Sequence, residues 1–460
     1  MHGQQPGKNE TETKPVMDSL TSPDDPLFGH ELAKATAPNP VHAERPWRVA
    51  LYSHDAMGLG HMRRNLLIAQ TVARSCRASV LLLAGAQEAA AFPLPPGVDC
   101  LALPALQKQD CSYQTRRLGV GLSDLVALRA QTLAAALDAF APDALVVDKA
   151  PRGALGELNP ALARLRSRHR TPCILGLRDV LDDPAAACRE WRDAANDDAI
   201  RRYYDAVWVY GDAAVYDPVQ EYGFPADVAA KVSFTGYMDQ RWRLLASSEN
   251  RSGVQLTGLE SFLATDRLVL CTVGGGEDGI RLAEAFAAAQ LPAHTAAVLL
   301  TGPFMPPEAR QRVCCLAAQN RRLRVIDFLT EPEHLLRRAD AVVAMGGYNT
   351  LCDVLSFEKP ALIVPRVHPR AEQLIRAQRL HELGLIDVLH PDAAAPAALS
   401  AWLARPHPKP SVHSRIDFHG LDRLPRLLAK LLEPRTARIV DNGARTPQNG
   451  ERDMFTCQTR

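Results

Sequence analysis

The sequence predicts an α/β protein built as two parallel-sheet halves. Three observations predict it: short unbroken apolar runs, helical patterns between them, and a restart of that alternation midway along the chain. Strands of a parallel sheet are covered on both faces by helices, so each reads as a continuous apolar run. In the first half the runs fall at residues 48–53, 80–84, 144–147, 173–177, 206–210 and 232–235, with helices predicted over 62–73 and 122–140. The pattern weakens between 232 and 268, where RWRLLASSENRSGVQ is polar. It resumes with strands at 268–273, 297–300, 323–326, 341–344 and 361–364. The expected organisation is a disordered tail over 1–44, a first domain over 45–237, a linker over 238–265, a second domain over 266–434 and a disordered tail over 435–460. Both tails are rich in polar residues and lack apolar periodicity, so they bury too little to offset their ordering entropy.

Length and charge narrow the function. A chain of 460 residues exceeds the roughly 250 to 300 that one core supports. Lys plus Arg number 53 against 52 Asp plus Glu, a net charge of +1. That balance lacks the basic footprint of a dedicated nucleic-acid binder and leaves small metabolites as the expected partners. No apolar run approaches the roughly 20 residues that span a bilayer. The opening MHGQQPGKNETETKPVMDSL has no basic segment followed by an apolar one, so a cytoplasmic protein is expected. The ten cysteines are scattered without a C-x-x-C pair, which predicts reduced, mostly buried thiols and no structural metal.

Three glycine-bearing turns carry the chemistry. The first strand runs into His54-Asp55-Ala56-Met57-Gly58-Leu59-Gly60-His61, whose glycines let a ligand approach backbone N–H groups. Gly58-x-Gly60 is followed by His61, Met62 and Arg63, so this is not the G-x-G-x-x-G of dinucleotide folds. His61 at the mouth of the turn either serves as a general base or hydrogen-bonds the loop. The second half opens likewise, its strand leading into Gly274-Gly275-Gly276 and a helix whose N-terminus suits a diphosphate. Farther on, Gly346-Gly347-Tyr348-Asn349-Thr350 ends a strand, with Asp353 one turn into the next helix. Asn349 or Thr350 can cap that helix, and Asp353 either reaches a ribose or compensates the helix dipole. After Pro365 come Arg370, Glu372 and Gln373, able to bond sugar hydroxyls or phosphate. Asp148 and the pair Arg178-Asp179 end strands of the first half, on the side expected to take an acceptor. Arg178 and Asp179 could also pair with neighbouring charges.

Taken together, these residues resemble a known family. The stretch 268–403 is similar to the C-terminal donor-binding domain of glycosyltransferase family 28, the MurG type, in the order of its glycine loop, Gly346-Gly347-x-Asn349-Thr350-x-x-Asp353, and Pro365 followed by Glu372-Gln373. The acid is Asp353 where a glutamate is usual, and Glu372-Gln373 stands where Gln-Gln is common. The opening Ser53-His54-Asp55-x-x-Gly58-Leu59-Gly60-His61-x-Arg63-Arg64 resembles that of a group of predicted glycosyltransferases, and GLGHMRR also resembles nucleotide-sugar hydrolases of the same fold.

The resemblance implies a GT-B type fold, two Rossmann-like domains facing a cleft. It implies that Gly274, Gly275 and Gly276 face a diphosphate, Asp353 takes the ribose, and Glu372 with Gln373 contact the donor sugar; Gly346, Gly347, Asn349, Thr350 and Arg370 complete the donor side. Gly58, Gly60, Arg64, Arg178 and Asp179 fall to the acceptor side, with His61 and Asp148 as catalytic candidates. The expected reaction is inverting, metal-independent transfer of a sugar, N-acetylhexosamine among the candidates, from a UDP-sugar to a hydroxyl of a small molecule, polysaccharide or lipid-linked acceptor. No cofactor is expected, since backbone amides and arginines can neutralise the leaving diphosphate and no D-x-D motif is present. A lipid-linked acceptor would call for peripheral membrane contact through an apolar-basic patch near Arg63 and Arg64. The alternatives are a hydrolase in which His61 activates water and a non-catalytic nucleotide-sugar binder.

Overall fold

The computed structural model describes residues 45–54, 60–85, 93–109, 112–168, 171–244, 259, 262, 264–329 and 332–433. The tails expected at 1–44 and 435–460 and much of the expected linker lie outside the described residues, as does Gly58.

In chain order the first half comprises β1 (Arg48–Ser53), α1 (Gly60–Cys76), β2 (Ser79–Ala84), β3 (Val98–Ala102), β4 (Leu106–Gln109), β5 (Ser112–Thr115), α2 (Leu122–Phe140), β6 (Ala144–Asp148), α3 (Asn159–Ser167), β7 (Cys173–Arg178), α4 (Pro184–Asp193), α5 (Asn196–Tyr203), β8 (Ala206–Tyr210), α6 (Pro218–Glu221), α7 (Ala226–Ala229) and β9 (Val232–Phe234). The second comprises β10 (Arg267–Thr272), α8 (Ile280–Ala287), β11 (Thr295–Leu300), α9 (Pro307–Ala317), β12 (Leu323–Ile326), α10 (Glu333–Arg338), β13 (Ala341–Ala344), α11 (Tyr348–Ser356), β14 (Ala361–Ile363), α12 (Glu372–Glu382), β15 (Asp387–Val388), α13 (Pro396–Leu403) and α14 (Gly420–Leu432).

Seven strands form one parallel sheet in the order β3-β2-β1-β6-β7-β8-β9, and six form another in the order β12-β11-β10-β13-β14-β15. The continuous apolar runs are the cause: all five residues of β6 and of β8, and all four of β13, are buried. Among the described strands only the hairpin β4-β5 is antiparallel, and an isolated antiparallel bridge joins Met238 to His419. In each sheet the strand order reverses beside the first strand, between β1 and β6 and between β10 and β13. Ligands of open α/β sheets bind beyond the carboxyl ends at that point. The turns carrying His61 and Asp148 flank the first reversal, and those carrying Gly274 and Gly347 flank the second.

The halves are joined by burial and by charge. One hydrophobic cluster runs from Leu51, Leu66 and Leu67 through Tyr237 to Leu270, Tyr348 and Leu424, and α14 packs back on α1. At the centre of the junction the Arg376 guanidinium on α12 donates to Asp179 at 2.8 and 3.0 Å, and the Tyr237 hydroxyl donates to the same carboxylate at 2.7 Å. Both partners are withdrawn from water. Tyr348 bonds across the junction to the Tyr210 carbonyl at 2.9 Å. All eight described cysteines are free, and Cys314 and Cys315 on α9 are exposed rather than buried. Among the described residues no helix is long and apolar enough to cross a membrane.

Removing one member of a buried ion pair strands the other charge, at a cost of about 3–5 kcal/mol. Asp179→Ala is therefore expected to lower the urea midpoint strongly. Arg201→Ala, which breaks a solvent-exposed pair with Asp227, is expected to leave the midpoint near that of the parent.

Candidate active site

The carboxyl ends of the two sheets face each other across a cleft of about 1150 Å³. The wall from the first half is made by the turns after β1, β6 and β7. There α1 begins at Gly60, and its first turn sets His61 and Arg64 beside Asp148 at the end of β6. The His61 Nδ1 lies 2.7 Å from one Asp148 oxygen, and the Arg64 guanidinium donates to both oxygens at 2.7 and 2.5 Å. Arg64 also lies 2.9 Å from His61 Nδ1. An ionised carboxylate only accepts, so Nδ1 carries the proton and donates it to Asp148; the approach of Arg64 to that nitrogen is then a contact, not a hydrogen bond. Nε2 is left with a lone pair. Burial works against the charge of Asp148, and Arg64 and His61 outweigh it, holding the carboxyl well below its usual range. Burial pushes the His61 imidazole down to about 4, with Asp148 opposing and Arg64 adding to the drop.

The opposite wall is built from glycine. Gly274 and Gly276 take φ values of 65° and 101°, where side chains are strained. A Cβ on Gly302, in the loop after β11, would meet the Gly274 carbonyl oxygen at 2.4 Å, so the two loops approach backbone to backbone. Among the described residues the amides of Gly274 and Gly275 are unpaired, and both glycines line the cleft. Gly347 caps α11 without a side-chain bond. Asn349 and Thr350 lie inside that helix rather than at its cap, and Asn349 Nδ2 instead donates across the cleft floor to the Gly60 carbonyl at 2.8 Å. Asp353 is buried with one oxygen lacking a partner. Burial pushes its carboxyl up to about 7, Arg63 opposing from 3.9 Å and Glu333 reinforcing. Arg366 ties the last element together, donating to Glu372 at 2.5 Å and to Asp278 at 2.7 Å, while its amide donates to the Gln373 side-chain oxygen at 3.1 Å.

Of the residues singled out from the sequence, Gly60, His61, Arg64, Arg178, Gly274, Gly275, Gly347, Asn349, Thr350, Asp353, Arg370, Glu372 and Gln373 line this one cleft. Asp148 stands behind His61, Gly276 and Gly346 pack beneath the surface, and Asp179 is consumed by Arg376 instead of pairing with Arg178. Arg370 is tied to Asp182 and Glu190. Arg63 and Arg64 provide no basic patch, since both point inward to Glu333 and Asp148. His54, Lys149 and Arg366 also line the cleft, although only their strand-end position marked them. Among the described residues no cluster of three His, Cys, Asp or Glu side chains is placed to hold a metal ion.

The glycine wall lies within one recognisable unit. Residues 270–410 match the glycosyltransferase family 28 C-terminal domain. No curated protein matches the chain by sequence. Among solved structures, the glycotransferase of kitacinnamycin is 18% identical, with 86% of this chain and 99% of that one covered and a TM-score of 0.51. The UDP-GlcNAc 2-epimerase of Neisseria meningitidis, bound to UDP-GlcNAc, is 12% identical over 84% and 99%, with a TM-score of 0.55. A UDP-glucosyltransferase of Polygonum tinctorium is 15% identical over 87% and 98%, with a TM-score of 0.53. These likenesses establish the fold, two facing parallel-sheet domains of GT-B type, around a family 28 C-terminal unit. Transferases and epimerases share it, so overall shape does not select the reaction.

Because the folded imidazole protonates near pH 4 and an unfolded one near about 6.5, the unfolded chain binds this proton first as pH falls. The His61 contribution to stability is thus complete above about pH 6.5 and is lost toward pH 4. In NMR of the labelled protein the His61 ring is expected to keep its neutral-form shift down to about pH 5. A midpoint near 6.5 would contradict the burial and contacts described.

Proposed function

We propose that the protein is a glycosyltransferase that moves a hexose, N-acetylhexosamine among the candidates, from a UDP-sugar to an acceptor hydroxyl with inversion and without a metal, acting in the cytoplasm. The observation that carries this reading is the His61-Asp148 pair set in one cleft with the unpaired glycine amides. UDP is taken from the resemblance of the second half to family 28.

In this reading the amides of Gly274 and Gly275 receive the diphosphate, Asp353 the ribose, and Glu372 with Gln373 the sugar. The acceptor oxygen attacks the anomeric carbon as its proton passes to His61 Nε2, and the bond to the diphosphate breaks with its electron pair leaving on the phosphate oxygen. Asp148 keeps Nδ1 protonated and stabilises the imidazolium that forms, the role of an orienting carboxylate behind a general base. Amides already aimed at the leaving group need no reorganisation as charge develops there, and this is the larger source of acceleration. The same pair could activate water, so nucleotide-sugar hydrolysis is the second reading. Sugar release at full rate without an acceptor would select it.

His61→Ala is expected to lower turnover by roughly 10²- to 10⁴-fold with UDP affinity nearly unchanged, measured by steady-state rates and calorimetry. Unchanged turnover would remove His61 from the mechanism. Thermal unfolding with UDP, UDP-N-acetylglucosamine, GDP and NAD tests the donor side. A ligand at 100 times its Kd stabilises by about 2.7 kcal/mol, and only the uridine compounds are expected to shift the transition.

A further inference from the structure

Among the described residues two cations on the first wall make no hydrogen bond or ion pair. At the end of β7 the chain places Arg178 and Asp179 on opposite sides. Asp179 turns into the junction to meet Arg376, so its charge is not available to its neighbour. Arg178 lines the cleft, and its guanidinium makes no hydrogen bond or ion pair among the described residues; its Nε is buried with no acceptor. Lys149 follows Asp148 on the adjacent strand, fixed there by its amide bond to the Gly176 carbonyl at 2.8 Å and a φ of 67°. Its ammonium also lines the cleft without a partner among the described residues. The other arginines of this wall are taken: Arg63 by Glu333, Arg64 by Asp148, and Arg152 by the carbonyls of Ala194 and Ala195; Arg370, from the second half, is taken by Asp182 and Glu190 of the first.

Both cations are half-buried and repel each other; the Glu372 carboxylate of the opposite wall attracts both, with Glu190 adding at Lys149 and Asp148 at Arg178, but none of these bonds to them. Burial first and Arg178 second push Lys149 down to about 7; burial, then Arg64 and Arg376, push Arg178 down to about 10. A negative group lying between them would relieve both.

We propose that Lys149 and Arg178 form a seat for a phosphate or carboxylate group of the acceptor, so that the second substrate is an anionic hydroxyl compound. This rests on the transferase reading above. The same charge could come from the donor, as its diphosphate or as an acidic sugar. The acceptor is favoured because both cations stand on the wall of His61, whereas the unpaired glycine amides stand on the other. An acidic sugar held by Glu372 would face that carboxylate, whose second oxygen is buried and unpaired.

The test is calorimetric titration of inorganic phosphate into the UDP-saturated protein and into Lys149→Gln and Arg178→Gln, with UDP titrated into each variant and thermal unfolding used to check that each one folds. Phosphate is expected to bind beside UDP, each substitution weakening it about 10- to 100-fold, the loss of one charged hydrogen bond, without altering UDP affinity. Arg178→Lys, which keeps the charge, is expected to retain part of the phosphate affinity. Phosphate excluded by saturating UDP, or unaffected by both substitutions, overturns the proposal. A parallel loss of UDP affinity assigns the cations to the donor diphosphate and also overturns it. So does UDP-glucuronic acid binding more tightly than UDP-glucose with that preference lost in the variants. Phosphate held by these residues in a protein that takes no UDP would refute the donor assignment while leaving the seat in place.

Discussion

The Asp179 carboxylate, gripped by Arg376 and Tyr237, is the contact on which the shape of the site depends. It joins the end of β7 to α12, and with that bond made the rows of strand ends from the two sheets confront each other across the cleft. Arg376 also lies over the Tyr348 ring at 5.5 Å, so the first turn of α11 is held by the same guanidinium. Asn349, next along, reaches Gly60 where α1 begins. A charge pair sealed from water is weak evidence for stability but strong evidence for geometry, because a shifted register would leave two buried charges unmet.

The same constraint explains why neighbouring residues have opposite fates. Arg178 and Asp179 adjoin in sequence and differ in what the fold sets against them. One meets a guanidinium from 197 residues away and the other meets open cleft. Asp148 and Lys149 divide in the same manner, the acid turned inward to Arg64 and His61 and the base left at the wall. At each of these strand ends the acid is paired inside the protein and the adjacent cation faces the cleft.

This division marks the limit of what the sequence makes legible. The buried strands are written in it, since 144–147 and 341–344 are apolar throughout and β6 and β13 cover those residues. So is α2, whose periodicity spans Leu122–Phe140. β3 reads Val-Asp-Cys-Leu-Ala and β4 reads Leu-Gln-Lys-Gln, half-polar segments with no run to find. The glycine turns are legible because only glycine permits the approach of the loops at Gly274 and Gly302. Pairings across the halves are not, because nothing local to Asp179 names Arg376. Asn349 illustrates the point: its position in sequence suits a helix cap, and tertiary structure gave it a carbonyl in the other half instead.

The charge balance around His61 bears on how such a site could work at neutral pH. Burial first, and then the positive charge of Arg64 and Arg178, outweigh Asp148, and the imidazole resists a proton until about pH 4. A base that weak would transfer protons poorly. In the proposed reading a bound diphosphate or anionic acceptor adds negative charge to the cleft, where the protein interior screens less than water does, and negative charge favours the imidazolium. On this argument the cations beside His61 do not oppose catalysis. In the proposed reading they tie the basicity of His61 to the presence of a bound anion.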